Sequence, residues 1–311
     1  MGKRIYCAGP MRGYEKWNFP AFDRNAAFLS NLGWDPVSPA DLDRQMGFDE
    51  NDETVVFGAA EFHEAMLRDY EALLRCDAIA FIPGWEKSTG AALERSFANR
   101  LKLDMYRVDA DNNYFEKELI IGLTGYAQSG KNTLADMLVG RFGFEQRAFA
   151  DSLRGILYAL NPRLPEPNWA EVGDGFGQAG VVRVQDYVDK FGWEHAKTKV
   201  PEVRQLLQRL GTEGGRAFLG DNVWVDGLFN KPHAARLVLT DCRFPSEINA
   251  VKDRGGVVVR VEREGYGPVN DHISETASLG LEDFTVKNVG GPEQMFAQLI
   301  NRLAERGIVV P

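Results

Sequence analysis

Apolar residues along this chain fall into two alternating patterns: short unbroken runs, and longer stretches with helical spacing. Arg4–Ala8, Trp34–Val37, Ala78–Ile82 and Met105–Val108 have strand length. Between them, Phe19–Leu32, Glu61–Arg75 and Thr89–Leu101 carry apolar residues three and four apart, the spacing of one helix face. Gly33 ends the first helix and Pro39 closes the strand that follows it. Strands without polar alternation are buried on both faces, and a helix between consecutive strands makes them parallel. The pattern therefore predicts a parallel sheet covered by helices.

The same alternation resumes downstream. Leu119–Thr124 is an apolar strand, Leu134–Phe142 an amphipathic helix, Phe144–Ala148 a strand, and Phe149–Arg154 opens a helix. Helices are expected at Glu202–Leu210, Gly214–Leu219 and Pro292–Arg306, and strands at Arg236–Thr240 and Val257–Val261. Asn161–Val200, with Pro162, Pro165, Pro167 and many glycines, reads as an irregular lid or binding loop. The polar run Asp109–Lys117 reads as a linker. The expectation is two α/β domains, 1–110 and 118–311, joined through 111–117.

At 311 residues the chain is long enough for two cores. Its 44% apolar and 26% charged residues suit a globular protein. A net charge of −9 argues against nucleic acid as the main partner, because phosphate-backbone binding rests on Lys and Arg. Cys7, Cys76 and Cys242 are odd in number and widely spaced, and the four histidines show no metal-ligand spacing. They fit a reducing, cytoplasmic setting (the host cytoplasm, were the chain phage-encoded), and no apolar run is long enough to cross a membrane as a helix.

The strand Leu119–Thr124 runs into Gly125–Tyr126–Ala127–Gln128–Ser129–Gly130–Lys131–Asn132–Thr133 and then a helix. This is a strand–P-loop–helix unit. Glycines at 125 and 130 let backbone N–H groups turn inward, and the helix dipole points its positive end at the same spot. Lys131 reaches the outer phosphates of a nucleotide, with Ser129 and Gly130 in the cradle. The usual motif has Ser or Thr directly after the Lys; here Asn132 stands there, with Thr133 next. Magnesium is then left to Thr133, a distant acid, or the nucleotide and water. Asp241, at the end of an apolar strand, is in the position of a Walker-B acid. Arg154, Arg204, Arg209, Arg216 and Arg243 are candidates to offset phosphate charge.

In the first half, ligands are expected outside the carboxyl ends of the strands. That points to Ala8–Gly13, the loop after Val37, the start of the Glu61–Arg75 helix, and Pro83–Gly90. Asp69, Asp77 and Glu94 are expected near that edge. Glu94 lies early in its helix, where the dipole favours the carboxylate. It is a candidate nucleophile, with Asp69 to orient it or carry a proton. The competing reading makes Asp69 and Glu94 solvated helix acids and Asp77 a strand-leading cap.

The strings YCAGPMRG (6–13) and RDYEALLRCDAIAFIPGWEKSTGAALE (68–94) resemble the nucleoside 2-deoxyribosyltransferase-like family, whose relatives include deoxynucleoside 5'-monophosphate N-glycosidases. The resemblance covers about the first 108 residues. It implies a glutamate nucleophile in the Gly90-x-x-x-Glu94 context and assistance from Asp69. Ser88 stands where transferases acting on free nucleosides tend to carry an acid and the monophosphate hydrolases a serine. Arg12 and the Gly9–Gly13 backbone would complete a 5'-phosphate site, and Trp17, Phe19 and Trp85 would either wall the base or serve as ordinary packing. The insertion from Asp41 to Ala60 has no role in the resemblance.

GYAQSGKNT (125–133), FADSLR (149–154), VRQLLQRLGTEGGR (203–216), DNVWVD (221–226), TDCRFPSEI (240–248) and HISE (272–275) are similar, in order, to the bacteriophage-type deoxynucleoside monophosphate kinases. Together the two resemblances imply an N-terminal flavodoxin/Rossmann-like parallel sheet followed by a P-loop kinase-like parallel sheet with a helical lid and acceptor region. The kinase similarity assigns Asp151, Arg243 and Glu247 to the border between acceptor and phosphates, and Arg204, Gln208 and Arg216, with Arg154, to the acceptor side. The combined expectation is a bifunctional enzyme using ATP and Mg2+ on small-molecule nucleotides. Its C-terminal half would phosphorylate a deoxynucleoside monophosphate, and its N-terminal half would cleave or exchange an N-glycosidic bond or only sense a nucleotide. Sheet domains of the N-terminal kind also assemble into homo-oligomers in which neighbours complete pockets.

Overall fold

The computed structural model describes residues 2–52, 58–164, 182–268 and 272–310. It contains two five-stranded sheets. The first has β1 (Arg4–Ala8), β2 (Asp35–Val37), β3 (Ala78–Phe81), β4 (Asp104–Asp109) and β5 (Tyr114–Lys117) in the order β2-β1-β3-β4-β5. Its first four strands are parallel and β5 runs antiparallel to β4. Helices α1 (Phe19–Asn31), α2 (Pro39–Gln45), α3 (Ala59–Leu73) and α4 (Thr89–Arg100) connect and cover it.

The second sheet contains β6 (Leu119–Thr124), β7 (Glu145–Arg147), β10 (Arg236–Leu239), β11 (Val257–Glu262) and β12 (Phe284–Lys287). Its order is β12-β11-β6-β10-β7, all parallel. Its helices are α5 (Lys131–Phe142), α6 (Ala150–Leu160), α7 (Val184–Lys199), α8 (Pro201–Gln208), α9 (Val223–Phe229), α10 (Pro245–Lys252) and α11 (Pro292–Ala304). A separate small ladder pairs β8 (Arg163–Leu164) with β9 (Val182–Arg183).

Two-sided burial explains the unbroken apolar runs. Ile120, Leu237, Leu239 and Val258 pack on one face of the second sheet with Phe149, Leu153, Trp224 and Val251. The residues between them, Ile121, Val238, Val257 and Val259, pack on the other with Leu134, Leu138, Met295 and Leu299. The first sheet does the same. Ile5, Cys7, Ala78 and Ala80 meet Phe19, Phe22 and Leu29, whereas Tyr6, Ala8, Ile79 and Phe81 meet Leu73, Ala91 and Ala98. This alternation sends Tyr6 toward α3 and α4, the helices that carry Asp69 and Glu94.

Two expectations change. The run read as a linker holds a hairpin: Asp109 Oδ1 accepts the N–H groups of Asp111 and Asn112, Asn113 adopts φ 51°, and β5 returns along β4. Its polarity belongs to a turn and an edge strand. Within the stretch read as irregular, 184–199 is helical, with Val184 and Tyr187 buried and Gly192 (φ 79°) kinking it. The prolines at 165 and 167 and the glycines up to 180 lie outside the described residues. The helices around residue 210 merge into one continuous element with a π-helical stretch at Arg209–Arg216. The three cysteines are free and buried. Among the described residues no helix is long and apolar enough to cross a membrane.

Candidate functional site

The first candidate site lies at the carboxyl edge of β1 and β3, where the order β2-β1-β3 reverses direction. Tyr6, Asp69 and Glu94 meet there, respectively 0%, 7% and 5% exposed. The Tyr6 hydroxyl donates to Glu94 Oε1 at 2.7 Å and also interacts with Asp69. Asp69 Oδ1 is buried without a hydrogen-bond partner. Burial, and then the charge of Asp69, pushes the Glu94 carboxyl up to about 8 against the lowering effect of the Tyr6 bond. Burial likewise lifts Asp69 to about 7 despite Arg68 nearby.

These shifts correct the expectation that the helix dipole keeps Glu94 ionised. Glu94 is the sixth residue of α4, beyond the turn over which the dipole acts strongly, and desolvation wins. Two acids in one dry site titrate as a pair, so near neutral pH they share protons.

The glycines and Ser88 build the floor of this site. Ser88 caps α4, accepting from the Ala91 N–H at 3.2 Å and donating to the Gly9 carbonyl at 3.4 Å. Gly9 needs its missing side chain, because a Cβ there would collide with Ile82. Gly13 has φ 80°, in the region that favours glycine, and Gly90 has open space beside Ser88. Arg12 sits 4.7 Å over the Phe62 ring on α3. Trp85 packs on Phe81 and Trp17 on Phe48, while Phe19 is fully buried in the core and cannot wall a base. Asp77 is also elsewhere. It precedes β3, so it lies at the amino end of the strands, where its Oδ2 accepts the Arg4 N–H. The inserted segment contributes Asp43 on α2, which pairs with Arg68 beside Asp69.

The second candidate site is a cavity of about 720 Å³ at the carboxyl edge of the second sheet. Gly130, Lys131, Asn132 and Thr133 line one side. Arg154, Arg204, Gln208, Arg216, Asp241, Arg243 and Glu247 line the rest. The loop is shaped for phosphate: Gly125 and Gly130 have φ 130° and 111°, and Gly130 starts α5. Ser129 Oγ is buried with no partner, and Lys131 Nζ donates to the Gly125 and Tyr126 carbonyls at 2.7 and 2.6 Å. Asn288 Nδ2, from the turn after β12, braces the loop through the Ser129 carbonyl at 2.8 Å.

Several candidates act inward on the fold. Asp241 accepts the Phe149 and Ala150 N–H groups at 2.7 and 3.0 Å, so it anchors the start of α6 while keeping lone pairs for the cavity. Asp151 accepts the Ala148 N–H and an Arg154 nitrogen and does not line the cavity. Glu247 accepts the Arg243 and Phe244 N–H groups and pairs with buried Arg216 at 2.5 Å. Arg216 in turn lies 3.9 Å over the Phe244 ring. This pair sets the wall of the cavity. Arg209 is surface-exposed beside Glu213 and does not line it. His272 and Ser274 line it and bond each other at 2.8 Å.

Sequence reasoning missed Tyr6, which looks like one more apolar residue of its strand, and also Glu194 and Lys197. The latter two sit on α7 and pair at 2.6 Å inside the cavity. Lys197, together with Arg204, also borders a smaller hollow of about 480 Å³ beside Gln128 and Tyr266. Burial and then Arg154 lower the Lys197 ammonium. Helical spacing of Val184, Tyr187, Val188 and Phe191 was the available signal for α7.

The donors suit a nucleotide phosphate chain, given the orphaned Ser129 hydroxyl and the inward-turned loop. Among the described residues no three His, Cys, Asp or Glu side chains cluster for a metal. Thr133 and Asp241 both line the cavity.

Comparison with known proteins gives a separate match for each part of the chain. A family model described as "Domain of unknown function (DUF4406)" matches residues 3–106. The C-terminal part is similar to a protein of Acanthamoeba polyphaga mimivirus named "Putative deoxynucleotide monophosphate kinase", at 27% identity over 201 residues. That alignment spans 59% of this chain and 95% of the viral protein.

Proposed function

We propose that the chain is a bifunctional enzyme of deoxynucleotide metabolism, with a kinase in residues 118–311 and a nucleotide N-glycosidase in residues 1–110. The observation that carries the kinase reading is one cavity bounded by a P-loop lysine and by Arg154, Arg204 and Arg243. Likeness to the viral protein supports ATP as donor and a deoxynucleoside monophosphate as acceptor. The acceptor is a phosphate oxygen, so positioning and charge carry the rate and no strong base is needed. Lys131 leaves the loop carbonyls for the outer phosphates, while the cavity arginines hold the acceptor phosphate. Magnesium, when bound, would supply further neutralisation of phosphate charge, and Thr133 and Asp241 would be the residues to hold it.

In the N-terminal half, the buried acid pair supports carboxylate nucleophilic catalysis. In the singly ionised pair, the form with the shared proton on Asp69 leaves Glu94 ionised, and Glu94 forms a bond to the anomeric carbon as the carbon–nitrogen bond breaks. The electron pair leaves with the base, which takes the proton held by Asp69. Water then hydrolyses the ester, passing a proton to Asp69 and restoring ionised Glu94. Ser88, which can bond a 5'-phosphate without repelling it, favours hydrolysis of a nucleotide over transfer between nucleosides.

The test is a panel of normal and modified deoxynucleoside monophosphates with ATP and magnesium, scored together for diphosphate and free base. Diphosphate from at least one substrate and base from at least one are expected. ATP hydrolysis indifferent to every monophosphate would remove the kinase reading. Saturable nucleotide binding by the N-terminal half without any free base would make that half a sensor.

A further inference from the structure

The residue that joins the two sheets lies buried beneath two arginines that reach the loop of the first candidate site. Glu118 sits between β5 and β6, its side chain 3% exposed. Its Oε1 accepts from Arg107 Nε at 2.7 Å, and its Oε2 pairs with Arg95 Nη2 at 2.5 Å. Burial alone would raise this carboxyl, but the two guanidiniums hold it down to about 2. A buried charge so well matched stays ionised at any working pH.

Both arginines lead back to the Gly84–Ser88 loop. Arg95 follows Glu94 on α4, and its guanidinium lies 4.9 Å over Trp85 and 5.1 Å over Phe81. Arg107, on β4, lies 5.5 Å over Trp85 and 3.5 Å from Glu86. It also donates to the His233 carbonyl at 2.6 Å, tying the same clamp to the second sheet. Arg95 Nε and Nη1 are buried without partners, so Glu118 is the one acid paired with Arg95 among the described residues. Removing one partner of a buried ion pair strands the other charge, which then seeks water. Arg95 can do so only by leaving Trp85, and the loop carrying Ser88 loses its support.

The geometry points to Glu118, at the junction of the two sheets, as a positioning residue that holds the Trp85–Ser88 loop of the N-terminal site in its working conformation. The role in nucleotide binding rests on the N-terminal reading above; the mechanical role does not. A purely local structural pair would cost stability without singling out this loop or nucleotide affinity.

The experiment compares wild type with Glu118→Gln and Arg95→Lys in the full chain. Deoxynucleotide-dependent ADP formation serves as the check that the second half is intact. Should Glu118→Gln fail to fold, Arg95→Lys keeps the charge opposite Glu118 and loses the flat guanidinium over Trp85 and Phe81. Amide exchange at Lys87, Ser88 and Ala91 should quicken about tenfold or more. The KM for base release should rise about tenfold with kcat within about threefold, because support for binding is lost and the nucleophile is not. Unchanged exchange at these amides in both variants overturns the inference. Absence of base release from wild type would instead remove the glycosidase reading, and exchange would still decide the role of Glu118.

Discussion

Both parallel sheets gather polar residues at their carboxyl edges, yet the two gatherings are opposite in character. The first is closed and acidic: Tyr6, Asp69 and Glu94 are buried, and desolvation keeps protons on the acids. The second is an open cavity of about 720 Å³ rimmed by Lys131, Lys197 and five arginines, where charge is offset by Glu194 and Glu247. The contrast follows from what each edge would do. A carboxyl that attacks carbon gains from being dry, since water would solvate and blunt it. A cation set that receives two nucleotides needs room and net positive charge before either arrives. Sheet topology locates a site, and the burial of its charges selects its chemistry.

The sharpest way to break this comparison is a reciprocal pair of variants. Lys131→Ala should lower diphosphate formation by at least about 10³-fold while base release continues. Glu94→Gln should lower base release by a similar factor, about 10³-fold or more, with the kinase intact. Loss of both activities in either variant would mean that the two sites are one.

Next in size is Tyr6→Phe. The Tyr6 hydrogen bond lowers the Glu94 carboxyl, so its removal raises that group further. Base release by wild type should follow a bell in kcat/KM, because only the singly ionised pair has both a nucleophile and a proton to give. It should fall below about 7 as the pair takes its second proton, and above about 8 as it loses the last. Tyr6→Phe should move the bell to higher pH and cost roughly 10–100-fold in kcat. A profile that does not move would remove Tyr6 from the pair.

Lys197→Gln tests the open site. Its charge is partly neutralised by Glu194, so kcat for phosphoryl transfer should fall by only about tenfold. An unchanged rate would return Lys197 to a structural role. The smallest effect expected is on stability: Gly9→Ala drives a methyl into Ile82 and should cost about 1–3 kcal/mol in denaturant unfolding. Retention of kinase activity in that variant would show the damage confined to the closed site.

How much of this was legible beforehand varies with the kind of signal. Strand β1 and the P-loop with its helix could be read directly, since both depend on neighbours in the chain. Asp69 and Glu94 could be named from spacing and resemblance, but not their protonation, which depends on how dry the space between α3 and α4 is. Asp77 was misplaced because an acid before a strand and one after it lie at opposite edges of the sheet. The 109–117 hairpin was hidden because an edge strand and its turn share the polarity of a linker. Helix α7 was hidden behind the glycines and prolines that precede it.

By itself the sequence determined the two α/β layers, their order along the chain, and the residue types able to bind phosphate or attack carbon. Those are properties of periodicity and local backbone freedom, which act over a few residues. Only the tertiary structure decided that Tyr6 bridges two acids, that Asp241 and Glu247 spend hydrogen bonds on the backbone, and that Glu118 joins Arg95 to Arg107. Each depends on groups 4 to 92 residues apart meeting where water is excluded, as for Glu247 with Arg243 and Asp241 with Phe149. Charge and hydrogen-bond energies take their size from that exclusion.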